Sequence, residues 1–288
     1  ILFFNTLLVA TSFVAQAYST MRTIVYQSYR TINVPEWISR SMATVRNWAT
    51  QQGFEYKFVD DRFFQYAPEW YRRKVNNHIL LVADLARLVM AKELLSDGYD
   101  RTIWVDADVV VFDPERFVIN VTEEYAFCRE VWLRRQEVFG IPLPIIRRDE
   151  KVNNAVSVFT RNNSMLDFYI HAIESRVKHT PADQIRGGDA STTFLTLLNE
   201  QMCLPLLRNV GLFSPLIIHS LATGEEKYVK KYMKQFRDPV YAANIVHSGL
   251  NITWMGVEMT EEVYDAAIEK LIETKGEVLN RYSVRGGG

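Results

Sequence analysis

The sequence predicts an α/β layer fold with a mostly parallel central sheet flanked by helices, and three observations predict it. From Thr23 onward, short β-forming runs alternate with segments whose apolar residues recur at helical spacing, the order that builds parallel sheets. No linker or internal repeat divides the chain, and 48% hydrophobic content over 288 residues is enough for a large core. An apolar strand, residues 102–105, runs straight into Asp106 and Asp108, and in open α/β sheets ligands bind beyond the carboxyl ends of strands.

Taken in order, residues 23–29 read as the first strand. Pro35 opens a helix whose Ile38, Met42, Val45 and Ala49 share a face until Gly53 caps it. Residues 54–59 form the next strand. A second helix covers residues 80–96, with Leu81, Leu85 and Leu88 on one face and Gly98 past its end, and it delivers the chain into the strand at 102–105. Beyond the aspartates the pattern is less regular. It gives a strand at 155–160, helices near 164–176 and 190–199, a strand candidate around Ile217 and a closing helix over 260–280.

Formal charge is −1, from 33 basic and 34 acidic residues without long blocks of one sign, so nucleic acid is not an expected partner. Cys128 and Cys203 are far apart and lack metal-ligand spacing, so they read as buried apolar side chains. Residues 1–20 are uncharged and mostly apolar, just long enough to span a bilayer. Three readings stay open for them: a signal anchor, a signal peptide ending at Ala15-Gln16-Ala17, or a segment packed on a partner or on the domain itself. An anchor would make this a single-pass, membrane-associated protein facing the Golgi or ER lumen. Residues 21–284 then form a single domain and residues 285–288 a tail. Sequons at Asn120, Asn162 and Asn251 support secretory passage only weakly.

The stretch TIWVDADVVVFDP, residues 102–114, carries the chemistry. On an extended backbone, carboxylates at i and i+2 share a face, and two like charges that close are costly unless a cation sits between them. Hard oxygen ligands favour Mg²⁺ or Mn²⁺, and such an ion suits a diphosphate. A D-x-D alone is weak, since about one is expected by chance at this acidic content. Four further features could converge on it. Asp84 and Arg87 lie on one helix face among apolar residues, poised for a nucleotide or simply for each other. His247 ends a short apolar run before Gly249 and is either structural or a third ligand. Asp189, in Gly187-Gly188-Asp189, is either a helix cap or a carboxylate at the site. Asn153-Asn154 offer amides for sugar hydroxyls or turn chemistry.

The order TIVYQSY, DLAR, WVDADVVVFDP, NNAVSVF, GGDAST and VHSGLNITW, spanning residues 23–255, resembles the GT-A glycosyltransferases that carry a DXD motif. It is similar to the retaining glycogenin and bacterial galactosyltransferase type, or to related proteins with a DXD-containing sugar-binding region. The resemblance implies a Rossmann-like GT-A fold and metal ligation by Asp106, Asp108 and His247 around Mn²⁺ or Mg²⁺. It further implies nucleotide-sugar contacts from Tyr26, Gln27, Asp84, Arg87 and Asp106, with Asn154 and Asp189 as catalytic residues. Where the family often follows H-x-x-G with Lys-Pro-Trp, this chain has His247-Ser248-Gly249 and then Ile252-Thr253-Trp254, so the basic phosphate contact is missing there. Lys227, Lys230 or Lys231 could replace it, or they form a solvated helix face. Trp70, Tyr71, Trp132 and Trp254 are aromatic platforms for sugars or core residues.

The implied activity is transfer of a hexose from a UDP- or GDP-linked sugar to a glycan, protein or lipid acceptor. A transferase-derived structural subunit of a membrane assembly, without activity, is the rival from another class. A haloacid-dehalogenase-type phosphatase is a lesser one, because Asp106-Ala107-Asp108-Val109-Val110 also fits D-x-D-x-[TV]. That motif normally ends the first strand, and here two strands precede it. The G-x-G-T-R loop of sugar nucleotidyltransferases is absent.

Overall fold

The computed structural model describes residues 21–138, 141–236, 238–254 and 257–283. The apolar segment at 1–20, the tail at 285–288 and the side chain of Trp254 lie outside the described residues. The chain runs β1 (Thr23–Ser28), α1 (Glu36–Gln51), β2 (Glu55–Val59), α2 (Glu69–Lys74), α3 (Ile79–Ser96), β3 (Arg101–Val105) and β4 (Val109–Val111). It continues through β5 (Tyr125–Val138), β6 (Ile141–Thr160), α4 (Leu166–His179), α5 (Thr192–Met202), β7 (Leu206–Leu207) and β8 (Val210–Leu212). Then follow α6 (Pro215–Thr223), α7 (Glu226–Phe236), β9 (Ala242–Asn244), β10 (Thr253–Trp254), β11 (Val257–Glu258), α8 (Glu261–Glu273) and α9 (Glu277–Asn280).

Six strands form the main sheet in the order β2-β1-β3-β6-β5-β7. β1 pairs in parallel with β2 and β3, and β5 with β7, while β6 runs antiparallel to both β3 and β5. A second sheet, β4-β9-β8, and a hairpin of β10 and β11 complete the strands among the described residues. Alternation along β1 and β3 sends Ile24, Tyr26 and Trp104 to one face, where α2, α3, α4 and α5 cover them. It sends Val25, Ile103 and Val105 to the other, against Val45, Trp48 and Ala49 of α1. Helix α3 is apolar nearly all round, and ten of its residues are buried, as expected of a helix enclosed by the core. Helices α6, α7 and α8 pack a third cluster on the outer face of α1 and on the small sheet. Among the described residues no helix is long and apolar enough to cross a membrane.

Two expectations for the second half are corrected. The strand candidate around Ile217 is helix α6: Pro215 sits at its first position, where a missing N–H costs nothing. The closing helix breaks at Gly276, whose φ of +75° separates α8 from α9.

Candidate functional site

The site forms where β3 ends. Trp104 faces α3, so Asp106, two residues on, faces α3 as well. Its Oδ1 accepts hydrogen bonds from Trp104 Nε1 at 2.6 Å and Arg87 Nη1 at 3.0 Å. Arg87 lies on the inner face of α3 with 9% of its side chain exposed, and its Nη2 is 3.2 Å from Asp84 Oδ1, itself 6% exposed. The guanidinium also donates to the carbonyls of Asn154 (3.1 Å) and Ala83 (3.4 Å) and lies 4.9 Å above the Trp104 ring. Asn154 Nδ2 donates to Asp84 Oδ1 at 3.1 Å, closing a buried ring of Asp84, Arg87 and Asn154 to which Arg87 ties the partly exposed Asp106. Asn154 arrives there because β6 leaves β3 after the Val105–Val156 pair and continues along β5 past an irregularity opposite Ala126 to Cys128. Irregularities of this kind re-aim side chains beside sites.

Asp108 belongs to a different wall. The expectation that both aspartates share the face of one extended strand fails, because a turn closed by Val109 N–H donating to Asp106 O carries the chain out of β3 into β4. Asp108 Oδ1 accepts from Asn244 Nδ2 and its Oδ2 from the His247 backbone N–H, each at 2.7 Å. The His247 ring is hydrogen-bonded through Nε2 to the Tyr29 hydroxyl at 3.2 Å and lies 5.5 Å from the Trp37 ring. Gly249 follows with little room to spare: a Cβ there would stand 2.9 Å from the Tyr264 hydroxyl. That close approach is what requires glycine.

Electrostatically the two carboxylates are strained. Burial, only partly offset by Arg87 and reinforced by the charge of Asp108, pushes the Asp106 carboxyl up to about 7. Burial also raises Asp108, against the pull of the His247 backbone N–H and ring. Asp84 is raised by burial too, with Arg87 and Asn154 opposing. Both walls open on one cavity of about 590 Å³, within the range of small-molecule sites. Gly187, Gly188, Glu130 and Trp132 also line it. A groove of about 1000 Å³ along the β7 edge is larger, but there Arg129 and Glu150 are paired with each other, and no strained carboxylates gather in it. The smaller cavity is therefore the candidate site.

Several expected residues stand elsewhere. Tyr26 and Gln27 do not reach the cavity, for both are fully buried beneath it. The Tyr26 hydroxyl donates to the Arg87 carbonyl at 2.8 Å, and Gln27 Nε2 to the Asp106 carbonyl at 3.1 Å. They support the site and make no contact with its space, because even-numbered β1 residues face α3 and Gln27 the opposite layer. Asp189 is turned away as well: its carboxylate is 3.0 Å from Arg176 Nη2 and accepts from Arg186 N–H at 3.0 Å. Tyr71 is core and Trp70 lies outside the cavity, while Trp132 lines it. Lys227 and Lys230 are on α7, away from the cavity, with Lys230 paired to Glu226. Sequence reasoning missed Asn244, Tyr29, Arg30 and Glu130. The pairing of Asn244 with Asp108, 136 positions apart, left no local signal.

Among the described residues no three His, Cys, Asp or Glu side chains are gathered as a ready cage for an ion. The donor set nonetheless fits Mg²⁺ or Mn²⁺ in one respect. Two carboxylates whose ionisation is suppressed by burial, and for Asp106 also by the charge of Asp108, would be relieved by a cation, and Mg²⁺ commonly takes only one or two carboxylates plus substrate phosphates and waters. His247 as a third ligand would have to release its bond to Tyr29 or use the other ring nitrogen.

No family model and no curated protein matches the chain. Among solved structures it is similar to a glycosyltransferase involved in the glycosylation of the major capsid of PBCV-1. That likeness has 9% identity and a TM-score of 0.46, over 86% of this chain and 98% of that one. It is also similar to A197 from STIV, with 14% identity and a TM-score of 0.25, over 51% and 68% of the two chains. Both likenesses are too loose to say what this chain does.

Proposed function

We propose that the chain is a metal-dependent glycosyltransferase of the GT-A type, which moves a sugar from a UDP- or GDP-linked donor to a hydroxyl of a glycan, protein or lipid acceptor. The observation that carries this reading is the pair of strained carboxylates, Asp106 and Asp108, facing one cavity from two walls, with the buried Asp84–Arg87–Asn154 ring holding one of them. A Mg²⁺ or Mn²⁺ ion held by Asp106 and Asp108, with His247 as third ligand, would supply Lewis-acid stabilisation of the donor diphosphate. Arg87 and Trp104 both bind Oδ1 of Asp106, a residue that lines the cavity. The Gly187-Gly188 turn lets backbone approach a bound sugar closely, and Asp189 ties that turn to Arg176. In the reaction the bond between C1 of the sugar and the diphosphate oxygen breaks, with its electron pair leaving on the diphosphate. The acceptor oxygen bonds to C1, and its proton passes to a basic oxygen in the cavity. Retention of configuration is part of the proposal through family resemblance alone.

A second reading, a transferase-derived structural subunit, draws support from Asp108, both of whose oxygens are satisfied within the chain. Calorimetry with UDP and GDP, each with Mn²⁺ and with EDTA, on the wild type and Asp106→Asn separates the two. Metal-dependent binding that vanishes in the variant supports the transferase; no binding to either nucleotide supports the subunit.

A further inference from the structure

We propose that Arg30 is the cation that grips the donor's diphosphate, a role that rests on the nucleotide-sugar reading above. A diphosphate in this cavity faces the carboxylates of Asp61, Asp84, Asp106, Asp108 and Glu130, so it needs positive charge close by. Among the described lining residues the arginines are Arg30 and Arg87, and no lysine is present. Arg87 is committed: Asp84, Asp106 and the carbonyls of Asn154 and Ala83 occupy its donors. Turning it to an anion would strand the buried Asp84 carboxylate and the partly buried Asp106, a loss of the kind that costs most in proteins.

Arg30 is placed differently. It is exposed just past the end of β1, Nε donates to the Asn33 carbonyl at 3.2 Å, and the guanidinium lies 5.5 Å from the centre of the Tyr29 ring. These contacts settle the end of the side chain while both Nη groups have no partner among the described residues. An anchored guanidinium with a free edge is suited to two parallel hydrogen bonds to a phosphate. The platform beneath it is tied to the metal wall as well, since the Tyr29 hydroxyl is bonded to His247, whose backbone N–H holds Asp108. The chain has no lysine in the turn after His247, and Arg30 supplies the charge instead, from the end of the first strand. As the C1–O bond breaks, the electron pair arrives on the phosphate that Arg30 holds, so its grip strengthens in the transition state.

The test is calorimetry in Mn²⁺ with UDP, UMP, GDP and GMP on the wild type, Arg30→Gln and Arg30→Lys. The wild type is expected to prefer the diphosphate of its nucleotide over the monophosphate. Arg30→Gln should weaken the diphosphate about tenfold or more, as loss of a charge-assisted contact implies, and leave the monophosphate unchanged. Arg30→Lys should keep part of the preference, as a point charge without the fork. If Arg30→Gln binds the diphosphate as tightly as the wild type does, Arg30 is a surface side chain and the proposal falls. If both nucleotide forms weaken equally in Arg30→Gln, the proposal falls as well. A wild type that binds no nucleotide overturns the donor reading itself, and the role of Arg30 with it, an outcome distinct from the other two.

Discussion

Replacing Arg87 with methionine is expected to destabilise the protein by about 3–5 kcal/mol near pH 8, and by distinctly less at pH 5. The guanidinium makes ion pairs of 3.2 Å to Asp84 and 3.0 Å to Asp106 and a 3.1 Å hydrogen bond to the Asn154 carbonyl, with 9% of its side chain exposed. Each charge-assisted bond is worth about 1.5–3 kcal/mol. The sum exceeds the expected loss, because methionine spares the cost of burying the guanidinium and fills much of its volume. What remains is the buried Asp84 carboxylate and the partly buried Asp106, without a counter-charge. Their folded-state pKa values already lie above the ordinary carboxylate value, by burial, and removing Arg87 raises them further. A carboxyl whose folded pKa is raised contributes stability at low pH and loses it as pH rises through that pKa. In the wild type the Asp106 loss falls between about pH 4 and about 7. In Arg87→Met the folded state holds its protons to higher pH, so the gap between the proteins widens as pH rises. Urea denaturation of both at pH 5 and pH 8 measures it, and Arg87→Met/Asp106→Asn should recover part of the loss in a double-mutant cycle. A loss under about 1 kcal/mol at pH 8, or one independent of pH, would refute the placement of Arg87 as counter-ion to these carboxylates.

Other outcomes follow from the same geometry. Mn²⁺ should raise Tm more at pH 8 than at pH 6, because Asp106 must shed its proton before it ligates; thermal melts of Asp106→Asn should show no such rise. Gly276→Ala should cost about 2 kcal/mol or more in urea denaturation, because φ is +75° and the new Cβ would stand 2.5 Å from Phe112 Cε2 in the core. Asp189→Asn loses an ion pair to Arg176, whose side chain is 50% exposed, and should cost about 1 kcal/mol or less. Its nucleotide affinity by calorimetry should match the wild type, and a tenfold loss would return Asp189 to the donor site.

Where one element carries its own period, the sequence is enough. Helices α1 and α3 and strands β1 to β3 lie within a residue or two of the pattern read from apolar spacing, because amphipathic alternation is local. The long β5–β6 hairpin could not be read so. Its Arg134-Arg135-Gln136-Glu137 and Pro142-Leu143-Pro144 stretches look like loop, and it exists through register with a partner strand. Ile217 shows the limit of short apolar runs, where helix and strand look alike unless Pro215 is given weight. That Asp84, Arg87, Asp106, Asp108, Asn154 and His247 gather around one cavity was legible from spacing and resemblance. Their division between two walls was not, since it depends on a turn at Ala107 that period-2 reasoning ignores.

That turn gives Asp108 a structural task with which any bound ion would compete. Two residues past the end of β9, Val246 is held at φ +50°, a conformation that costs a β-branched residue about 1–3 kcal/mol. It persists because its surroundings determine it several times over. Ile245 N–H donates to the Asp108 carbonyl and His247 N–H to Asp108 Oδ2, Val246 N–H donates to Asn244 Oδ1, and the Tyr264 hydroxyl donates to the Val246 carbonyl. Asp108 is thus the buckle that holds the strained turn carrying His247, as well as a candidate ligand. An ion at Asp108 would share oxygens with the bonds that keep the turn in place, so occupancy of the site and the set of the 246–249 turn are coupled. Asp108→Asn would alter both at once. Asp106→Asn removes a charge while its remaining amide oxygen still accepts from Arg87 and Trp104, and for that reason it isolates the contribution of the metal from that of the turn.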